Sequence, residues 1–262
     1  MSNEYWAKRM ADSLNTISNK NIQDIEKQLK KYYRSVSKKL IREYEALYDK
    51  LLTTVGEGNQ PTPADLYKLS KYWELQNQLI EELQLLGDKQ VDLFYNKFQK
   101  EFFDIYDSIS LPSAVAFGTI SKEGAKQIIN QVWCADSKSW QQRIWGNTEL
   151  LAEVLNEQLV HCVVAGKKPT DLKRLLQERF EVSYSNANTL VRTEIAHVQT
   201  QAAKQRYEDY GIREFEVLAD KDERRCEVCG NLHKKRYPIG AAAPVPAHPN
   251  CRCCIVPVVD FK

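Results

Sequence analysis

From Ile22 to Leu52 the chain reads IQDIEKQLKKYYRSVSKKLIREYEALYDKLL, without a Gly or a Pro. Apolar side chains recur at Ile22, Ile25, Leu29, Tyr32, Val36, Leu40, Tyr44, Leu47 and Leu51. Steps of three and four keep them on one face of an α-helix, because a turn takes 3.6 residues. The uninterrupted run reaches back to Glu4, so the spacing predicts one long helix over 4–52, with a weak point near Ser18-Asn19. At about 1.5 Å per residue it would extend roughly 60–70 Å, more than one small core can wrap. Such a helix needs a partner in a hairpin or coiled coil.

The neighbouring segments supply partners. Gly56-Glu57-Gly58-Asn59-Gln60-Pro61 is a loop, and Thr62-Pro63-Ala64-Asp65 restarts a helix with Thr62 as N-cap, Pro63 in the first turn and Asp65 favoured by the helix dipole. Leu66, Leu69, Trp73, Ile80 and Leu83 form its expected stripe, and Gly87 its expected stop. A third helix follows from Asp88, with Val91, Phe94, Phe98, Phe102, Ile105 and Ile109 on one face. Short connections between long helices imply antiparallel neighbours. Leu111-Pro112-Ser113 ends this array.

Beyond it, helices are expected from Ser121 to Trp133, over Trp140–Ala165, from a Thr170 cap to Arg179, and from Ser185 to Tyr210 ahead of Gly211. The period then changes. Glu214–Leu218 and Cys254–Val259 alternate, the pattern of half-buried strands. The expected fold is mainly α: a long helical hairpin or array over 1–110, a central helical domain over 111–211, and a small C-terminal α+β cap with a zinc-knuckle-like site over 212–262.

At 262 residues the chain is long enough for a substantial core. Its net charge of +2 gives no global signal for a polyanion partner. No apolar run approaches the eighteen or so residues that a membrane helix needs.

Five of the seven Cys fall in the last forty residues. Cys226-x-x-Cys229 and, after eighteen intervening residues, His248-x-x-Cys251 are two half-sites of the spacing that chelates one tetrahedral Zn²⁺. Free structural thiols or disulfides are the other readings. The start of the chain lacks a basic n-region followed by an apolar h-region, which favours a reducing compartment over disulfides. Cys253 is an alternative ligand, but a strand running from Cys251 would turn Cys251 and Cys253 to opposite faces. A catalytic zinc needs an open position and a general base; the pattern supplies neither, so the expected site is closed and structural.

These residues also carry a resemblance. Asp222-Glu223-Arg224-Arg225-Cys226-x-x-Cys229, then His248-Pro249-Asn250-Cys251-Arg252-Cys253, preceded by Arg192-Thr193-Glu194 in a helix, resemble the tailed-phage minor head proteins, the head morphogenesis or Mu F-like family, over roughly 140–260. His233, where a glycine is expected, and the extra thiol of Cys254 depart from that pattern. The resemblance implies a non-enzymatic virion protein, present in a few copies, bound to portal or to capsid and scaffold proteins during procapsid assembly. It further implies a part in DNA packaging, retention or ejection. The alternatives are a metal-supported, HNH-like nuclease and a freestanding zinc-knuckle DNA-binding protein.

Two basic clusters could track phosphates, as phosphate contacts need no base sequence. One is Lys30, Lys31, Arg34, Lys38 and Lys39 on the first helix; the other is Arg224, Arg225, Lys234, Lys235, Arg236 and Arg252 around the knuckles. A solvated helix face explains the first as well. Arg192 and Glu194 read as structural, a buried ion pair orienting their helix on the cap. His161, beside Cys162, and His197 read as core residues. Glu214-Phe215-Glu216 superficially matches the Glu-x-Glu of ADP-ribosyltransferases, but their Ser-Thr-Ser strand is absent.

Overall fold

The computed structural model describes residues 3–56, 58–111, 116, 118–219, 223 and 225–259, with side chains from residue 5. Among these the elements are α1 (Asn3–Val55), α2 (Pro63–Lys68), α3 (Ser70–Ser108), α4 (Lys122–Ile129), α5 (Trp140–Val164), α6 (Pro169–Asp209), β1 (Glu214–Leu218), α7 (Glu227–Leu232), β2 (Arg236–Pro238) and β3 (Cys254–Pro257). The chain is mainly α with a small C-terminal sheet, as the change of period implied.

Helix α1 is unbroken. Ser18 and Asn21, next to the expected weak point, are buried and donate hydrogen bonds to the Glu101 carboxyl of α3, Asn21 at 2.6 Å. The polar spot is thus a buried contact with a neighbouring helix. The buried stripe runs through Tyr33 rather than Tyr32, keeping the three-and-four rhythm with Leu29, Val36 and Leu40.

Two expected helix boundaries do not exist. Thr62 caps α2 with a reciprocal pair of bonds to Asp65, as predicted, but the break comes at Leu69 rather than Gly87. That break shifts the phase, so Tyr72, Leu75, Leu79, Leu83 and Leu86 are buried while Trp73 and Ile80 are exposed. Gly87 lies inside α3 for another reason: a Cβ there would sit 2.4 Å from the Trp145 ring of α5. We expect Gly87→Ala to lower stability by about 1–3 kcal/mol through overpacking. In an uncrowded helix the same change would gain about 1 kcal/mol, so the sign of the shift in denaturation midpoint decides. Helix α6 likewise runs through Phe180–Ser185, because no Gly or Pro interrupts 170–210 and both Phe180 and Ser183 are buried.

The chain packs as two compact units interleaved in sequence, because α1, α3 and α6 each contribute to both. One comprises Lys27–Asp92 and Gln141–Asn188. There α1 and α3 run antiparallel, with Lys39 bonded to Glu82, Lys71 to Glu43 at 2.9 Å, and the Tyr33 hydroxyl within 3.4 Å of Gln90. The other comprises Met1–Glu26, Leu93–Trp140 and Thr189–Lys262. Phe94, Phe98 and Trp140 form its aromatic core, with Phe98 5.5 Å from Phe94 and 5.4 Å from Trp140 between ring centres.

The sheet belongs to this second unit, in the order β2-β1-β3 and antiparallel throughout. Phe215 pairs with Tyr237 on one side and Pro257 on the other, and Val217 with Ile255. Phe215, Val217 and Ile255 are fully buried, each contributing about 1.5–3 kcal/mol. Buried Tyr207 of α6 places its hydroxyl 3.1 Å from the Ile255 carbonyl, tying the sheet to the helix.

Candidate metal centre

Cys226 sits at the N-cap of α7, where its sulfur accepts the Cys229 N–H at 3.4 Å, and one turn on Cys229 is buried. A thiol thus satisfies an N–H that a helix start leaves unpaired. The second half-site is a turn closed by the Cys251 N–H on the His248 carbonyl at 3.1 Å. Asn250 takes the left-handed conformation in it, with φ 59°, which Asn tolerates better than most residues.

The half-sites meet. His248 Nε2 lies 3.0 Å from the Cys229 sulfur and 3.3 Å from that of Cys226, and the Cys229 and Cys251 sulfurs are 3.7 Å apart. Two triples result, Cys226/Cys229/His248 and Cys229/Cys251/Cys253, with ligand atoms in each within 4.8 Å of one another. The expected divergence of Cys251 and Cys253 is wrong, because β3 begins only at Cys254. Cys251–Cys253 has no strand alternation, and both side chains are buried against Cys229.

The donors suit a metal ion. Zinc–sulfur bonds of about 2.3 Å at tetrahedral angles put sulfurs about 3.8 Å apart, near the Cys229–Cys251 separation. Thiols with one imidazole are soft donors, which magnesium and calcium do not choose. His248 Nδ1 is 2.8 Å from the Pro249 carbonyl, which can only accept, so Nδ1 carries the proton and Nε2 turns its lone pair to the sulfurs. The same bond to Pro249 raises the imidazole's pKa.

The Cys253 thiol donates to Cys251, holding the Cys251 pKa down at about 5 and raising that of Cys253. Burial pushes Cys229 up to about 12, while the Cys229 N–H lowers Cys226. A cation here would reverse the preference that burial imposes and hold the sulfurs as thiolates.

Arg192 and Glu194 are both engaged, though not as a shared buried pair, since side chains two apart on a helix do not face each other. Arg192 is half-exposed and pairs with Glu26 of α1. Glu194 is buried and accepts the Trp133 indole N–H at 3.0 Å. Thr193, between them, was not foreseen. Its hydroxyl accepts the Asn250 N–H at 3.1 Å, so the centre of the Arg-Thr-Glu triplet anchors the second half-site. Thr193→Val keeps the bulk and removes the acceptor. We expect it to lower the local opening free energy by about 1 kcal/mol, read as faster hydrogen exchange of the Asn250 amide; unchanged exchange would remove Thr193 from this role.

His233 is at the C-cap of α7, and its Nδ1 accepts the Ala219 N–H at 3.3 Å. Cys254 packs with Ala11 and Val256. His197 is a core residue, stacked on Trp133 with ring centres 4.3 Å apart and kept neutral by burial, which lowers its pKa to about 3. His161 is exposed instead of buried.

Arg225, Lys234, Lys235, Arg236 and Arg252 are exposed, with Arg236 3.5 Å from Glu216. Arg224 lies outside the described residues. Lys30, Lys31, Arg34, Lys38 and Lys39 are exposed on α1, and Lys39 is paired with Glu82. Among the described residues no helix is long and apolar enough to cross a membrane.

Residues 153–256 match a family model described as phage Mu protein F like protein. The match takes in less than half of the chain but contains the whole Cys/His cluster and its Thr193 anchor. It bears out the resemblance to phage head morphogenesis proteins. No curated protein and no solved structure matches the chain.

Proposed function

We propose that this chain, matched over residues 153–256 by the phage Mu protein F like family, is a minor head protein of a tailed phage or prophage. It acts inside the head near the portal, binds portal and capsid or scaffold proteins during procapsid assembly, and aids DNA packaging or ejection. The observation that carries this reading is that the matched segment contains the Cys/His cluster. In this reading the role is structural: a Zn²⁺ ion held by Cys229, His248 and Cys251 with Cys226 or Cys253 fixes the two half-sites to each other, and Thr193 fixes them to α6.

Co-expression with the portal protein of the same genome tests the assignment. Co-purification with portal rings, or recovery in assembled heads, is the expected result. A chain that stays out of both would contradict it.

DNA contact belongs to the same proposal. The cations of α1, Lys30, Lys31, Arg34 and Lys38, and those around the metal centre, Arg225, Lys234, Lys235 and Arg252, are exposed, and phosphates are the partners proposed for them. Phosphate-driven binding weakens steeply with salt, by roughly one power of salt concentration per phosphate contacted. A gel shift insensitive to ionic strength would remove this part and leave the head assignment standing.

A further inference from the structure

The centre assembles five donors, Cys226, Cys229, His248, Cys251 and Cys253, and a tetrahedral ion takes four. They are not equivalent. Cys229 belongs to both triples, whereas each of the others belongs to one. We infer that Cys229 is the pivot of a redundant metal site in which Cys226 and Cys253 exchange as the fourth ligand beside Cys229, His248 and Cys251. This inference rests on the metal-centre reading given above.

The environments of the two exchanging thiols differ in the way an exchange requires. Cys226 is exposed at the N-cap of a six-residue helix, and water can solvate its sulfur when it leaves the ion. Cys253 is buried and already within reach of Cys229 and Cys251. As the Cys253 sulfur binds, its thiol proton passes to solvent, and the departing Cys226 thiolate takes one up. Neither electrons nor total proton count change. Removing Cys229 leaves two separate pairs, Cys226 with His248 and Cys251 with Cys253.

Co²⁺ is the probe, because its sulfur-to-metal charge-transfer absorption reports thiolate ligation directly. We expect Cys226→Ser and Cys253→Ser each to bind about one Co²⁺ with affinity within roughly tenfold of the parent, while Cys229→Ser loses about 100-fold. Since Cys229→Ser can also disturb folding, the unmodified protein supplies a second readout. Zinc-loaded protein treated with N-ethylmaleimide should carry the label on Cys226, located by peptide mass spectrometry, and keep its zinc. Loss of metal in Cys226→Ser or Cys253→Ser alone, or zinc release on Cys226 alkylation, overturns the exchange and marks a fixed ligand set. Absence of any charge-transfer band in the parent protein overturns the metal-centre reading along with it.

Discussion

If the proposed zinc site is occupied, chelation frees the segment from Cys226 to Cys253 and leaves α1–α6 and the β1–β3 ladder in place. The burial pattern dictates this division. Phe215, Val217 and Ile255 are fully buried and hold their strands without help from the ion. Among the described residues between Ala219 and Cys253 the buried side chains are few, and three of them are Cys229, Cys251 and Cys253, beside Val245 and Pro246. A stretch whose interior is mainly sulfur has little apolar burial to offset its conformational entropy of about 1–2 kcal/mol per residue. A structural zinc site contributes about 10–16 kcal/mol of apparent binding energy, most of which appears as folding energy. Hydrogen exchange after chelation should therefore show lost protection at the Gly230, His233 and Cys251 amides, all hydrogen-bonded within the segment. The Val258 amide, bonded to the Glu214 carbonyl of β1, should stay protected. Protection unchanged at Gly230 and Cys251 would mean that the half-sites fold without the ion.

Between about pH 4.5 and pH 7, the protein loses roughly 3 kcal/mol of stability relative to Glu101→Gln. Glu101 is completely buried between α1 and α3, and burial, the dominant effect, pushes its carboxyl from 4.5 up to about 7. The bonds from Ser18 and Asn21 oppose that shift without cancelling it. Nearby Asp104 adds to the shift and Lys100 opposes it. The folded state therefore keeps a proton that the unfolded state has already released. This favours folding fully below pH 4.5, fades as pH rises to 7, and is absent above. About 2.5 pKa shifts of 1.36 kcal/mol each set the magnitude. Glutamine cannot titrate, so the difference between the two unfolding free energies isolates this carboxyl. A difference independent of pH would show that Glu101 is solvated in the native state.

The helical part of this architecture was legible because period and capping are local. The stripe on α1 and the Thr62 box on α2 follow from chain geometry alone. Helix ends inside the array were not legible. At Gly87 and at Phe180–Ser185 the choice between stopping and continuing is made by partners distant in sequence, Trp145 in the first case, and a local propensity carries no record of them.

The spacing of Cys226, Cys229, His248 and Cys251 was enough to expect that the two half-sites meet. The role of Cys253 did not follow, because assigning its direction needed the strand to start at Cys254 rather than Cys251. The Thr193 anchor was concealed for a related reason. Arg192 and Glu194 are the charged residues that draw notice, whereas the contact is made by the hydroxyl between them, on a third face of α6. The strand β2 was missed as well: Arg236–Pro238 is too short to show a period and exists through its pairing with β1.

All of this turns on one ion joining two half-sites, and the metal content of the purified chain tests that most directly. Elemental analysis of protein prepared without added metal or chelator should find about one zinc per chain, falling well below that in Cys229→Ser. A chain that carries no zinc, takes up none when offered, and keeps the Gly230 and Cys251 amides protected would contradict the account.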